Sequence, residues 1–442
     1  MINMAIRQLN KNVCKSIVLC FAAMMLIFTV AIIGVFCIPA SAIRENVVKS
    51  ANEIQEDGLW YQPLGFYLYQ VDNMTDCLML NIAATADSDN PAQSSMLAKV
   101  GRYEYDELRG NYLDMPQMTH DVALYGTEHM DSMQEYARYW HGYQIFLRPL
   151  LALTSYHTII AVNIVLLLML VALTLLLAYK RFTKAEFWSF AVSLALVFVP
   201  CAPLCLQFST CFYIALIGMC VLLWDNRVSA SSERLCAFFF LLGGLTSYFD
   251  FLTTPQLTLG FPLITLMLIR AELRTSKTVA GLSVLWAAGY SLIWAGKWLM
   301  ASLITHKSIM DSVVGAAGMR VSDSIVYGGE EMLMSEFFYL IWQKLCSVVG
   351  TVPVYGCVVL LLMLIAFACI MAYRYRAVLR PYSWLILIVL IVPVWYIVMK
   401  NHTLQHIFFT WRAIAVMIWS LSLLIIYIKN RVLSGNYSAI RL

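Results

Sequence analysis

Long apolar runs separated by short polar connections fill most of the chain, and this pattern predicts helices that cross a membrane. A membrane-spanning helix needs about 20 mostly apolar residues. Ten runs approach that length, although those at 209–224 and 255–270 are short. The predicted spans are residues 16–38, 158–179, 186–206, 209–224, 235–251, 255–270, 278–301, 353–373, 382–399 and 408–428. The predicted fold class is an all-α integral membrane protein with about ten transmembrane helices.

Two long polar segments interrupt this pattern and predict regions outside the membrane. Residues 39–157 follow the first span and have an ordinary soluble composition, with one helix predicted at 44–56 and an interfacial helix at 144–156. Residues 302–352 contain a second stretch, 335–350, whose mixture of apolar and charged residues suits the membrane interface. The chain is therefore predicted to divide at 1–38, 39–157, 158–301, 302–352 and 353–442.

Basic residues in the connections predict the orientation, because Lys and Arg concentrate on the cytoplasmic side of membrane proteins. If both termini are cytoplasmic, every predicted inner segment is basic, as with Lys180 and Lys184 after the second span. The first apolar run exceeds the roughly 7–15 residues of a signal-peptide core, which favours a retained anchor. We therefore predict a multi-pass protein of the cell membrane with cytoplasmic termini and a large extracytoplasmic loop after the first helix.

Composition supports a membrane protein and excludes several function classes. Hydrophobic residues make up 61% of the 442 residues and charged residues 13%, whereas soluble domains have about 45–50% and roughly 25%. Nucleic-acid binding, a soluble Rossmann enzyme and intrinsic disorder therefore fit poorly. The twelve cysteines form no CxxC and no zinc spacing, so most are predicted to be small buried residues without disulfides.

Charged residues within or beside the spans cluster at one end of them, and such residues are functional candidates by default. Asp250 ends the fifth predicted span, Lys297 lies near the outer end of the seventh, and Arg412 follows the hairpin between the last two. The inner halves of the spans carry almost no charge. Channels and proton-coupled transporters place polar groups deeper, so the pattern favours chemistry at the extracytoplasmic face.

Four basic residues at this face suit an anionic headgroup. Nucleotide-activated donors are not available outside the cytoplasm, so the plausible activated donor is a polyprenyl-phosphate sugar. The predicted donor-phosphate residues are Arg412, Lys297, His402 and His406. Two alternatives stay open: the histidines and nearby aromatics anchor a helix end at the interface, or His402 and His406, four apart, bind a metal without the glutamate of HExxH. A divalent cation is an open possibility, and no other cofactor is predicted.

Carboxylates in the long loop are the candidates for catalysis. Asp72 and Asp76 share one face if the segment is helical, and such a pair can divide the work of activating and orienting an acceptor hydroxyl. Helix capping is the alternative, because Asp, Asn and Thr all cap helices. Glu45, soon after the first span, is a competing candidate.

Further residues around the same face are candidates for substrate binding. The segment from Tyr139 to Tyr143 contains Trp140 and His141, and Arg148 follows it, which suggests a sugar-stacking platform beside a basic group. An interfacial aromatic belt is the alternative. Asp250 is assigned to orienting the acceptor or pairing with a cation.

The layout resembles the C-type glycosyltransferases (the GT-C superfamily), polytopic membrane enzymes that use polyprenyl-phosphate-linked donors. A short N-terminus, one span and then a large outer loop with the acidic residues Glu45, Asp72 and Asp76 carry the resemblance, although the loop contains no paired DxD. The resemblance implies a hexosyltransferase-type enzyme that transfers a sugar to a cell-surface glycan or lipid. Asp76 would deprotonate the acceptor hydroxyl, while Arg412 and Lys297 stabilise the departing lipid phosphate.

Two other function classes stay open. A glycan or lipid flippase or transporter needs a polar path across the bilayer, which the inner halves of the spans do not offer. A surface-polysaccharide polymerase or ligase also works outside the cell on polyprenyl-linked substrates, but typically carries its large loop late in the chain. The predicted partners are a polyprenyl-phosphate-linked sugar, a lipid or glycan acceptor and membrane lipids, with no nucleic acid.

Overall fold

The computed structural model describes residues 2–104, 114–310, 325–327, 330–346 and 379–433, together with residues 314, 315 and 318. This part of the chain is mainly helical, and two short antiparallel strand pairs are its only sheets. Six of its helices are long and apolar enough to cross a membrane. The protein is therefore an all-α membrane protein in architecture.

The first helix, α1 (Ile2–Phe36), leads into a compact unit that we call the inserted domain, residues 40–151. Its strands pair antiparallel, with Gly101 opposite Met133. Its elements are α2 (Ala40–Asp57), α3 (Asn73–Ala84), α4 (Pro91–Leu97), β1 (Val100–Arg102), α5 (Met115–Tyr125), β2 (Ser132–Gln134) and α6 (Gln144–Leu151).

The remaining described elements form a helical bundle with a second strand pair. They are α7 (Tyr156–Arg181), α8 (Lys184–Leu196), α9 (Leu206–Trp224), α10 (Arg227–Ala230), α11 (Ser232–Phe249), α12 (Pro255–Ile269), α13 (Ser276–Thr305), β3 (Ile325–Tyr327), β4 (Glu330–Met332), α14 (Met334–Cys346), α15 (Ser383–Val398), α16 (Lys400–Gln405), α17 (Ile407–Thr410) and α18 (Ile414–Leu433). Single turns of 3-10 helix at Tyr67–Tyr69 and Trp411–Ala413 matter for the site below.

Local sequence explains where helices of the inserted domain begin. The Asp72 side chain accepts a hydrogen bond from the amide of Thr75 at 3.0 Å and caps α3. The side chain of Asn90 accepts from the amide of Gln93 in the same way, and Pro91 occupies the first position of α4. The capping alternative for Asp72 is therefore confirmed.

Six predicted spans coincide with helices that can cross a membrane: 16–38, 158–179, 209–224, 278–301, 382–399 and 408–428. The run at 235–251 is helical as α11. Helix α12 covers 255–269 but, at about 22 Å, is shorter than the roughly 30 Å hydrocarbon core. The predicted span at 353–373 lies outside the described residues.

The prediction of one continuous span at 186–206 is wrong. Helix α8 ends at Leu196, Phe198 adopts a left-handed conformation with φ 47°, and a 3-10 segment follows at Val199–Leu204. Pro200 and Pro203 lie in that segment, and proline has no amide hydrogen to continue an α-helix. The apolar run is therefore divided, and α9 begins only at Leu206.

All three amphipathic stretches form helices, but α6 ends at Leu151 and not at the predicted residue 156, and 347–350 lie outside the described residues. Helix α2 contains 44–56, and α14 covers most of the predicted stretch from 335 onward. Helix α6 leaves Phe146 61% exposed, and Leu153 just beyond it is 80% exposed. Large apolar side chains left uncovered at this position suit contact with the membrane interface.

The inserted domain packs directly on the bundle through buried tryptophan, tyrosine and glycine contacts. The indole of Trp140 donates to the carbonyl of Ile293 in α13 at 2.7 Å. The amide of Gly142 donates to the carbonyl of Tyr248 at the end of α11, at 3.0 Å. A Cβ atom on Gly142 would lie 2.4 Å from the Tyr248 ring, so only glycine permits this approach. The domain therefore packs on the C-terminal end of α11 and on the middle of α13.

Candidate functional site

Arg412 is a buried cation with incomplete hydrogen bonding. The residue is 1% exposed, and its Nη1 atom donates to the carbonyl of Phe408 at 3.2 Å. Neither Nε nor Nη2 has a hydrogen-bond partner among the described residues, and no described carboxylate forms an ion pair with it. Its guanidinium carbon lies 4.7 Å from the Phe208 ring centre and 5.7 Å from that of Trp411.

The irregular segment between α15 and α18 places Arg412 beneath the inserted domain. Two short helices and a 3-10 turn replace a tight hairpin there, and Trp411 in that turn donates to the carbonyl of Leu68 at 2.7 Å. The Tyr69 ring packs edge-on against Trp411 at 5.5 Å. We call this cluster of neighbouring side chains the Arg412 pocket, and its members are Arg412, Trp411, Tyr69, Phe208 and Cys205.

Other buried polar groups without partners lie on the neighbouring elements. Helix α12 packs against the 3-10 turn of Arg412, and a Cβ on Gly260 would meet the Val416 side chain at 2.5 Å. Gln256 lies one helical turn before Gly260, and Arg412 lies one turn before Val416. Both side chains are therefore on the faces through which the two elements pack. The buried side chains with at least one polar atom lacking a described partner here are Thr254, Gln256, Thr403, Thr410 and Arg412.

The histidines of the hairpin hold a neighbouring turn. The Nε2 atom of His402 donates to the carbonyl of Leu252 at 2.8 Å, and the rings of His402 and His406 lie 4.7 Å apart. The turn that receives this bond is closed by Asp250, which is 3% exposed and accepts from the amide of Thr253 at 3.0 Å. His402 and Asp250 are thus brought to one turn.

Asp76 and Asp72 lie at the first turn of α9. The Asp76 carboxylate accepts from the Tyr156 hydroxyl at 2.8 Å and from the amides of Leu206 and Gln207 at 2.7 and 3.3 Å. The Gln207 side chain also donates to Asp72. Burial raises the pKa of both carboxyls, that of Asp76 to about 6. Both therefore stabilise a helix N-terminus, as its dipole favours, next to Cys205.

The raised pKa of Asp76 predicts a pH-dependent stability. The folded state binds the carboxyl proton of Asp76 more tightly than the unfolded chain does. The free energy of unfolding therefore decreases as pH rises from about 4 to about 6 and then levels off. Asp76→Asn removes this dependence. Relative to wild type, the variant should gain about 2 kcal/mol between pH 4 and pH 7 in detergent unfolding experiments.

The exposed residue Glu45 supplies the control. Glu45→Gln should differ from wild type by the same small amount at both pH values. A pH-independent difference between Asp76→Asn and wild type would contradict the assignment of Asp76 as a buried, raised-pKa group.

Lys297 and His141 have partners within the protein. The Lys297 ammonium donates to the carbonyls of Met96 at 2.8 Å and Ser95 at 3.4 Å, at the C-terminal end of α4. Burial lowers the pKa of His141 to about 3, so its neutral ring donates through Nε2 to the Tyr136 carbonyl at 2.9 Å. Neither residue lies among those that define the Arg412 pocket.

Arg148 and Glu45 are at opposite extremes of burial. The Arg148 guanidinium is 0% exposed and donates to the carbonyls of Val35, Ile38 and Ala83. Val35 and Ala83 lie in the last turns of α1 and α3, and Ile38 lies two residues beyond α1, so Arg148 acts as a C-terminal cap for two helices. Glu45 lies on the exposed side of α2.

Sequence reasoning missed several residues of the Arg412 pocket. Phe208 and Cys205 lie in an apolar run and gave no chemical signal, and Tyr69 lies in a loop without periodicity. Gln256 had a detectable signal, because it is a polar residue in an apolar run directly after Thr253-Thr254-Pro255. Within the described ranges, no group of three or more His, Cys, Asp or Glu side chains is placed to hold a metal ion.

Comparison of the chain with protein-family models, with curated proteins and with solved structures finds no match. Its functional interpretation therefore depends on the geometry of the Arg412 pocket and on the pattern of the sequence.

Proposed function

We propose that the protein is a membrane glycosyltransferase that transfers a sugar from a polyprenyl-phosphate-linked donor to a glycan or lipid acceptor at the extracytoplasmic face. In this proposal Arg412 binds the donor phosphate. The supporting observation is its buried guanidinium, whose Nε and Nη2 atoms lack partners among the described residues.

The energetics of Arg412 favour an anionic ligand. A buried charge without a partner costs several kcal/mol, and the aromatic contacts with Phe208 and Trp411 offset only about 0.5–2 kcal/mol each. Nε and Nη2 form one edge of the planar guanidinium, which matches two oxygens of a phosphate. An anion at that edge would satisfy both nitrogens and neutralise the charge.

The surroundings of Arg412 favour a lipid-linked phosphate over a fully hydrated one. The rings of Phe208 and Trp411 face the guanidinium, and Tyr69 packs on Trp411. Aromatic residues are typical of the membrane interface. The same contacts that bind the donor would stabilise the phosphate as it leaves, because negative charge develops there during transfer.

The general base in this proposal is Asp76. Its pKa of about 6 suits proton removal near neutral pH. The Cys205 thiol donates to the backbone carbonyl of Asp72 at 3.4 Å, and the amide of Leu206 donates to the Asp76 carboxylate at 2.7 Å. Both aspartates therefore lie at the first turn of α9, which also carries Phe208 of the pocket. His402, His406 and Asp250 are assigned to orienting the substrate headgroups.

Donor titrations of purified Arg412→Lys and Arg412→Ala protein test the proposal. Loss of the two-point contact should weaken binding of a polyprenyl-monophosphate-linked sugar about ten- to a hundredfold, with Lys less affected than Ala. The measurement is the donor concentration dependence of sugar release. The side chain of Arg227 is 82% exposed, and Arg227→Ala is the matched control, expected to bind donor normally.

Three results would change the proposal. Unchanged donor affinity in both equally folded Arg412 variants would leave the hairpin as an anchor. Translocation of intact donor across vesicles without sugar release would identify a flippase. Activity with a polyprenyl diphosphate donor but not with the monophosphate would favour a polymerase or ligase.

A further inference from the structure

A cavity lies at the far end of the bundle from the inserted domain. Its volume is about 620 Å³. We call it the Arg431 pocket, and the residues that line it include Arg274, Tyr382, Trp384, Tyr427, Asn430 and Arg431. Neither the donor site proposed above nor any predicted site residue contributes to it.

Helix length places this cavity at the opposite membrane interface. Arg412 precedes α18 beneath the inserted domain, whereas Asn430 and Arg431 lie near the other end of that helix. The separation from 412 to 430 corresponds to about 27 Å along a helix. This distance approaches the roughly 30 Å thickness of a hydrocarbon core, so the Arg431 pocket lies where lipid headgroups of the second leaflet are expected.

The described lining is cationic. Two arginines, Arg274 and Arg431, contribute to it, and no described Asp or Glu does. The Glu186 carboxylate is hydrogen-bonded to one lining residue, because it accepts from the Tyr427 hydroxyl at 2.6 Å. Glu186 also forms a capping box with Thr183. That carboxylate is buried, and it does not itself line the cavity.

Arg274 is fixed in position before any ligand binds. Its Nε and Nη2 atoms donate to the carbonyls of Met267 and Leu268 at 2.7 and 3.2 Å, at the end of α12. Its guanidinium carbon also lies 5.4 Å from the Tyr427 ring centre, and that ring stacks on Tyr382 at 5.8 Å. A rigid cation beside stacked tyrosines loses little conformational entropy on binding.

We propose that the Arg431 pocket binds the phosphate headgroup of an anionic membrane phospholipid. Basic pockets between membrane helices recognise anionic headgroups by charge, and Trp384, Tyr382 and Tyr427 supply the amphipathic rings that settle at the headgroup level. A membrane lipid is chosen over a soluble phosphate because the cavity is at the depth of the headgroups and carries this aromatic lining.

Native mass spectrometry of the full-length protein in detergent tests the proposal. The probes are phosphatidylglycerol and phosphatidylcholine with identical acyl chains, each titrated against wild type, Arg431→Gln and Asn430→Asp. Wild type should bind phosphatidylglycerol at least tenfold more tightly than phosphatidylcholine. Both variants should lose about tenfold in phosphatidylglycerol affinity, since one removes a cation and the other adds a carboxylate.

Arg227→Gln is the matched control, because Arg227 follows the end of α9 remote from the inserted domain and is exposed. It should retain wild-type lipid affinity. An equal loss in Arg227→Gln would show a diffuse surface field and overturn the site. Equal affinity for both lipids, or complete competition by millimolar inorganic phosphate, would also overturn it. Arg412 does not enter this experiment, so its outcome is independent of the proposed transferase function.

Discussion

Arg148→Gln should prevent most of the protein from reaching a stable folded state. Arg148 donates to three backbone carbonyls, with an Nε distance of 2.9 Å to Val35, and it is fully buried. Hydrogen bonds from a charged donor contribute about 1.5–3 kcal/mol each. The loss should reach about 4 kcal/mol or more, against a total stability of about 5–15 kcal/mol for typical proteins.

The reason for so large an effect is that Arg148 joins elements distant in sequence. Val35 lies in the last turn of α1, Ile38 lies two residues beyond that helix, and Ala83 lies in the last turn of α3. Without the guanidinium, these buried carbonyls lose the hydrogen bonds from residue 148, and water does not reach them readily. Arg148→Lys should recover little, because an ammonium group is a point donor and cannot follow the planar fork across both helix ends.

Fluorescence-detected size exclusion and thermal unfolding in detergent measure this effect. Arg44→Gln, at an exposed position of α2, is the matched control and should change stability by less than about 0.5 kcal/mol. An Arg148→Gln protein that elutes and unfolds like wild type would show that the described capping contacts contribute little.

Gly243→Ala and Gly289→Ala should each destabilise the bundle by about 2–3 kcal/mol. Helices α11 and α13 approach backbone to backbone at these two positions. A Cβ on Gly243 would lie 1.9 Å from the carbonyl oxygen of Trp286, and one on Gly289 would lie 2.0 Å from that of Phe240. Backbone atoms cannot move aside as a side-chain rotamer can, so the helices must separate. Small residues permit such close packing in membrane proteins.

Gly281 provides a control on the same helix as Gly289. No atom lies within 4 Å of a Cβ built at Gly281, so Gly281→Ala should stabilise α13 by roughly 0.5–1 kcal/mol through helix propensity. The double variant at positions 243 and 289 should be less than additive, because both substitutions open one interface. If Gly243→Ala proves as well tolerated as Gly281→Ala in thermal unfolding, α11 and α13 are not in close contact.

The sequence by itself determined the class of the protein and most of its helices. Apolar length is a local property, so it predicted the membrane helices at 16–38, 158–179 and 278–301 without knowledge of their neighbours. Capping is local as well, and Asp72 begins α3 as its position allowed. Apolar length does not reveal the break at 196–206, because it takes no account of the two prolines in that run.

Only the tertiary structure decided which buried cations have partners. Sequence placed Lys297, Arg148 and Arg412 together as basic residues near one membrane face. In the fold, Lys297 and Arg148 are bonded to carbonyls at the ends of distant helices, whereas Arg412 keeps two nitrogens without described partners. A helix C-terminus and an anionic ligand both attract a cation, and residue type is the same in either case. Whether a cation has a partner depends on whether the fold brings a helix end within about 3 Å of it, and residue spacing along the sequence does not predict that distance.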